Sequence, residues 1–215
     1  MKKIREYFVE RRKNKVAYMS SFENGRALAL LKDDCVLVYI DEKYKVVEET
    51  SLFCFSSDTE QELLEYGYTV ISDFYADKTR KNYLVDRNLQ KIEGHEYRYI
   101  DICHSSNRVY LLVNNAQERT DVFGLLDEKF NEIFAIKYKQ IKHLGEDKFA
   151  TIEYDADEIE IHNLETKQTK KVKGSEITII CEYKGKKYYR VRYKDNYCYY
   201  DEDFINIFTG EEINK

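Results

Sequence analysis

Cys103, His104, Ser105 and Ser106 follow one another and bring together a thiol, an imidazole and two hydroxyls, the ingredients of nucleophilic catalysis. Consecutive residues of a strand point to opposite faces, so this run cannot form the thiol–imidazole contact that such chemistry needs. His95, His143 and His162 lack metal-ligand spacing and are expected at the surface or in loops. The acidic run from Glu153 to Glu160 offers carboxylate oxygens to a hard cation, but it lacks the glycine and the distant glutamate of a calcium loop. It is expected to form a solvated turn between two strands. No Gly-rich phosphate loop, G-x-S-x-G elbow, H-E-x-x-H or C-x-x-C occurs in the chain. These observations assign no catalytic residue, no metal ligand and no cofactor, and the chain is expected not to be an enzyme. A site assembled from several blades at the mouth of a propeller is the one form of enzyme that motif reading would miss.

The segment KKYYRVRYK, Lys186 to Lys194, could do a different kind of chemistry. In an extended strand, alternation places Lys186, Tyr188, Arg190, Arg192 and Lys194 on one face and Lys187, Tyr189, Val191 and Tyr193 on the other. The first face is cationic with a tyrosine among the charges, which suits contact with an anionic partner such as nucleic acid or an acidic protein surface. Charge is also segregated along the chain. Lys167 to Lys194 holds 10 basic and 2 acidic residues, whereas Glu146 to Glu165 holds 8 acidic and 1 basic. The competing account is mutual neutralisation, with acidic and basic strands pairing across a sheet. The basic amino-terminal arm, with Lys2, Lys3, Arg5, Arg11, Arg12, Lys13 and Lys15, carries the same two readings. A net charge of −5 argues against wholesale nucleic-acid binding but leaves a local patch open.

Those residues must be positioned by strands. The chain of 215 residues carries 20 Tyr and 11 Phe, side chains that suit a half-buried pleated surface. Its length buries enough surface to need neither disulfide nor metal, and no Pro-rich or Gly/Ser-rich linker divides it, so one domain over residues 1–215 is expected. The basic amino terminus has no apolar core of a secretory signal, and no apolar run is long enough to span a membrane. Five scattered cysteines, Cys35, Cys54, Cys103, Cys181 and Cys198, fit reduced thiols and hence a cytoplasmic location.

Four segments share one register: YIDEKYKVV (Tyr39 to Val47), LVDRNLQKI (Leu84 to Ile92), LLDEKFNEI (Leu125 to Ile133) and YYDEDFINI (Tyr199 to Ile207). Each has an Asp, then Tyr, Leu or Phe three residues on, and Val or Ile six residues on. The Asp carboxylate is suited to cap backbone N–H groups of a hairpin turn. A weaker copy, IHNLETKQTKKV, places Asn163 where the Asp stands. Turn positions 41, 86, 127, 163 and 201 give a period near 40. Further strands are expected at 26–32, 68–74, 108–113, 148–154 and 187–193, and between units at 51–56, 97–103, 138–144 and 176–182. One segment breaks the pattern. SDTEQELLEYG reads as a short helix near 58–66, with Ser57 and Glu60 as a capping box and Gly67 past its end, inserted to cover a sheet edge or to carry binding residues.

Four short strands per unit, repeated five times, are what a small β-propeller requires. The stretches REYFVE and KVAYMSS near residues 5–20 are candidates for a missing strand of the last blade. FENGRALALLKDDCVLVYIDEKYKVV (Phe22 to Val47) and VFGLLDEKFNEIFAIKYKQIKHLGEDKFA (Val122 to Ala150) resemble WG repeats, which carry an aromatic-Gly pair, two apolar residues, Asp, a charged turn and a return strand. Phe123-Gly124 supplies the pair in one unit; Leu37-Val38, Asn82-Tyr83 and Tyr197-Cys198 stand there in the others. The resemblance implies a β-repeat scaffold used in recognition. The expected fold is mainly β, five propeller-like blades of about four strands each, with an open twisted WG-type array as the alternative. The expected function is protein–protein recognition by a scaffold; a nucleic-acid-binding regulator or inhibitor of a nucleic-acid-processing complex is the alternative.

Overall fold

The computed structural model describes residues 16–31, 36–53, 59–74, 80–106, 108–114 and 121–208. Among them are eighteen strands and one helix, and every strand pairing is antiparallel. The chain divides into two compact units, Met1–Ile100 and Asp101–Lys215.

The first unit is a single meander in chain order, β1 (Val16–Met19), β2 (Arg26–Leu31), β3 (Val36–Asp41), β4 (Val46–Phe53), β5 (Tyr68–Phe74), β6 (Arg80–Asp86) and β7 (Lys91–Tyr97). Val16–Met19 of KVAYMSS form β1 on β2, so they open the first unit instead of completing the last; Lys15 and REYFVE lie outside the described residues. Nor do Ser51–Phe53 of SLFCFS form a strand of their own, the rest of that segment lying outside the described residues. They end β4, which pairs with β3 through Val36↔Phe53 and with β5 through Leu52↔Asp73 and Phe53↔Ser72. The Thr50 hydroxyl donates to the Leu37 carbonyl at 2.5 Å and Ser51 donates to Asp73 at 2.6 Å, tying one strand to both neighbours.

The expected helix is α1 (Thr59–Glu65), while Ser57 and Asp58 fall outside the described residues. Its Leu63 is fully buried against Leu28, Leu30, Leu37, Ile71, Tyr83, Val85 and Leu89, and Leu64 faces solvent. That is a helix covering a sheet. Its carboxyl end is closed by Arg87, whose guanidinium donates to the carbonyls of Leu63 and Leu64 at 3.2 Å each, satisfying groups the last turn leaves orphaned.

The second unit holds three sheets: β8 (Tyr99–His104), β9 (Val109–Asn114), β10 (Phe123–Asp127) and β11 (Glu132–Tyr138); then β12 (Gln140–Gly145), β13 (Lys148–Ile152), β14 (Glu158–Asn163) and β15 (Gln168–Lys173); then β16 (Glu176–Tyr183), β17 (Lys186–Tyr193) and β18 (Asn196–Tyr200). The expected four strands appear in the first two sheets. In the third, the fourth position holds one bridge, Tyr200↔Asn206, among the described residues. Packed between sheets are Leu144, Ile159, Val172, Ile177, Tyr189, Val191 and Phe204 in one cluster, and Tyr110, Leu125, Ile141 and Phe149 in another. Gly124 of the aromatic-Gly pair has a steric reason: a Cβ there would lie 2.6 Å from Ile136 Cγ1 and 3.0 Å from the Phe134 carbonyl.

The four Asp turns share one geometry. Oδ1 of Asp41, Asp86, Asp127 and Asp201 accepts from the backbone N–H groups two and four residues on, at 2.8–3.0 Å. The residue three on, Tyr44, Leu89, Phe130 or Phe204, is left-handed with φ between 58° and 67°. That conformation is ordinarily glycine's, and it turns the side chain back over the sheet: Leu89 and Phe204 are buried, and Phe204 stacks on Tyr189 with centroids 4.8 Å apart. Asn163 makes a different turn. Its Oδ1 accepts from Glu165 and Thr166, and the left-handed residue is Lys167, one position later.

Candidate recognition surface

β17 alternates as its sequence requires. Tyr189 and Val191 enter the core, while Arg190 is half-buried and Arg192 exposed on the opposite side. On that outer face β17 is flanked by β16 and β18, with Arg190 opposite Thr178 and Tyr199, and Arg192 opposite Glu176 and Tyr197. Tyr197 and Tyr199 therefore join Tyr188, Arg190 and Arg192 on one surface. The Arg190 guanidinium lies over the Tyr197 ring, 4.7 Å from its centroid, and Tyr197 remains 48% exposed. Sequence reasoning passed over these two tyrosines, although the alternation in NYCYY (196–200) carries the signal.

The two ends of the predicted stripe sit differently. Lys186 pairs with Glu202 at 3.4 Å. Lys194 lies one residue beyond the strand, in a left-handed turn, with its ammonium 5.3 Å from the ring of Tyr193. Among the described residues no ion pair forms at Arg190, Arg192 or Lys194, even though Glu176 stands opposite Arg192. Beside this face β16 bulges between Ile179 and Cys181 and leaves Ile179, Ile180 and Tyr183 exposed, with Lys184 over Tyr183 at 5.2 Å.

Neutralisation does account for Lys171 in the other half of the basic segment. β14 and β15 set Glu158 opposite Lys173 and Glu160 opposite Lys171, and Lys171 meets Glu160 at 2.8 Å and Glu158 at 3.8 Å. Glu153 meets Lys137 at 2.7 Å. Glu153, Glu158 and Glu160 of the acidic run thus meet lysines within their own and the preceding sheet, and Tyr154 to Asp157 form the turn between β13 and β14.

The other chemically capable groups are engaged structurally. Cys103 is buried and His104 exposed, on opposite faces of β8. Burial, with Asp101 nearby, pushes the Cys103 thiol up to about 12, so it carries no thiolate at neutral pH. Ser105 and Tyr110 both donate to Asp147, at 2.8 and 2.6 Å, and Ser106 donates to Glu146, which fastens the β8–β9 turn to the β12–β13 turn.

The histidines do not lie in loops. His95 is on β7, His143 on β12 and His162 on β14. His143 stacks on Phe149, 4.8 Å between centroids. His162 is held between Thr151 and Thr169, hydroxyls of the two flanking strands at 3.0 and 3.1 Å from its ring nitrogens, and packs on Phe134. Those two hydroxyls satisfy the imidazole and let it sit inside a sheet. Burial lowers its pKa, against the opposing pull of Glu160. The folded state therefore favours the neutral ring, and the unfolded chain takes up the proton first. Stability from this site is fully present above the unfolded value of about 6.5 and is lost as pH falls toward the lower folded value. Thermal melts at about pH 7.5 and about pH 5.5 will show a smaller acid-side loss in His162→Gln than in the unaltered chain.

No family model matches the chain, and no curated protein does. Solved structures with some likeness include the dihydro-heme d1 dehydrogenase NirN in complex with DHE (TM-score 0.40, 14% identity, 93% of this chain and 46% of that one) and U3-55K (0.35, 8%, 87% and 61%). A third is the AfRom2 CNH domain (0.30, 10%, 85% and 78%). The chain spans less than two thirds of the first two. Likeness at this level assigns neither fold family nor activity. Among the described residues no helix is long and apolar enough to cross a membrane.

Proposed function

We propose that this chain is a non-enzymatic recognition scaffold, built from five β units of the propeller-like, WG-type kind that its sequence resembles. It takes its partner on the outer face of β16–β18. One observation carries the proposal: Arg190 and Arg192 stand among Tyr188, Tyr197 and Tyr199 on a sheet face, without carboxylate partners among the described residues. Tyrosine and arginine are the side chains enriched where surfaces meet, because each offers a large rigid contact area with a polar end. The neighbouring β14–β15 hairpin offers a contrast, since its Lys171 is held by Glu158 and Glu160 of the facing strand.

The test is capture of a tagged chain's partners from the source lysate, with and without nuclease, in parallel with Arg190→Glu/Arg192→Glu. A partner held by the unaltered chain and lost from the double variant is the expected result. A partner held equally by both removes the face from the proposal.

A further inference from the structure

We infer that the ligand of the β16–β18 face is a single-stranded nucleic acid. The inference rests on the reading of that face as the contact surface, and it adds the chemistry of what binds there. Side chains two apart on one strand face are about 6.8 Å apart, so Arg190 and Arg192 form a cationic rail along β17. That advance is close to the step between successive phosphates of an extended single strand.

Beside the rail lie the rings. Tyr197 is half open to solvent and carries the Arg190 guanidinium on its face, while Tyr188 and Tyr199 stand on the same surface, one opposite Cys181 and the other opposite Arg190. At the β16–β17 hairpin a lysine again meets a tyrosine ring, Lys184 over Tyr183. Cations for a backbone interleaved with aromatic platforms for bases are the two requirements of single-strand binding.

A duplex hides its base faces, and this face is a three-stranded sheet with no helix to enter a groove. An acidic polypeptide without rings, such as polyglutamate, would use the cations and bring no flat face to stack on the tyrosines. Because the rings are central to the assignment, they also discriminate it.

Fluorescence anisotropy with end-labelled oligo-dT and oligo-U of about 15 nucleotides, a duplex of the same length and labelled polyglutamate will test it. Both single strands are expected to bind more tightly than the duplex and the polyglutamate. With two phosphate contacts, affinity should fall about 7-fold between about 50 and 200 mM salt. Arg190→Gln/Arg192→Gln should weaken binding at least about 10-fold and flatten the salt dependence, and Tyr197→Leu should weaken it about 5-fold or more with the salt dependence unchanged. Melting curves on the same variants confirm that they are folded.

The inference is overturned if neither single strand binds at the lower salt, if binding ignores both variants, or if polyglutamate binds as well and Tyr197→Leu changes nothing. If the single strands fail while Arg190→Glu/Arg192→Glu still loses its lysate partner, the contact surface stands and only the ligand class falls. If both fail, the surface falls with it.

Discussion

Replacing Phe204 by alanine lowers the stability of the second unit by about 3–5 kcal/mol, the usual range for emptying a buried aromatic site. The ring is 3% exposed and stacks on Tyr189 at an interplanar angle of 16°. Lys148 and Lys170 donate to the carbonyls of Glu202 and Asp203 in the same turn, so the ring's seat and the turn's hydrogen bonds hold each other in place. The backbone adds a second, sharper expectation. Phe204 has φ 58°, where a Cβ costs about 1–2 kcal/mol, so Phe204→Gly should be more stable than Phe204→Ala by about 1 kcal/mol although it removes one more carbon. Chemical denaturation of the two variants decides it. An alanine variant more stable than the glycine variant would mean that the left-handed turn is not held in solution.

Asp127→Ala is expected to cost about 2 kcal/mol, because three donors lose their acceptor at once. Oδ1 takes the N–H groups of Lys129 and Asn131, and Oδ2 takes the Asn131 side-chain amide. Asp127→Asn should cost less than half of that, since an amide oxygen still serves both backbone donors, as Asn163 does in the β14–β15 turn. Charge supplies the remainder. Burial alone would raise the Asp127 pKa, but the hydrogen bonds from Asn131 and Lys129 outweigh it and the net shift is downward. A carboxylate depressed in the folded state contributes stability above its unfolded value of about 3.9, and that contribution is lost as pH falls through the folded value. Denaturation curves at neutral pH and near pH 3 should therefore separate Asp127→Asn from the unaltered chain at neutral pH and bring them closer in acid.

The parts of this fold that were legible in the sequence are those written as local rules. The Asp register at 41, 86, 127 and 201 appears as four turns with the same hydrogen bonds, because a carboxylate, a turn and a left-handed residue fit within five positions. Alternation in KYYRVRY placed Tyr189 and Val191 inside and Arg190 and Arg192 outside. What failed depended on partners distant in sequence or on where strands stop. Ser51–Phe53 reads as a strand of its own until Thr50 and Ser51 are seen tying β4 to two neighbours. YRYIDIC and YKQIKHL do form strands, β8 and β12, each starting two residues later than the pattern suggests because Tyr97 and Tyr138 end the preceding strands.

Likewise Lys194 belongs to the basic face only if the strand continues past Tyr193, and it does not. His162 looks like a surface residue until threonines 11 residues upstream and 7 downstream are found on either side of it. The candidate surface was half visible. Its cations lay in one strand, whereas Tyr197 and Tyr199 enter from the next one, and only register decides that they share the face.

Mass-resolved side-chain footprinting of the chain, alone and with its captured partner, tests the central claim most directly. Arg190, Arg192 and Tyr197 should lose reactivity in the complex, while Tyr154, exposed on the β13–β14 turn of a neighbouring sheet, keeps it. Undiminished reactivity of Arg190, Arg192 and Tyr197, with protection appearing elsewhere, would contradict the assignment of the β16–β18 face as the surface by which this protein recognises its partner.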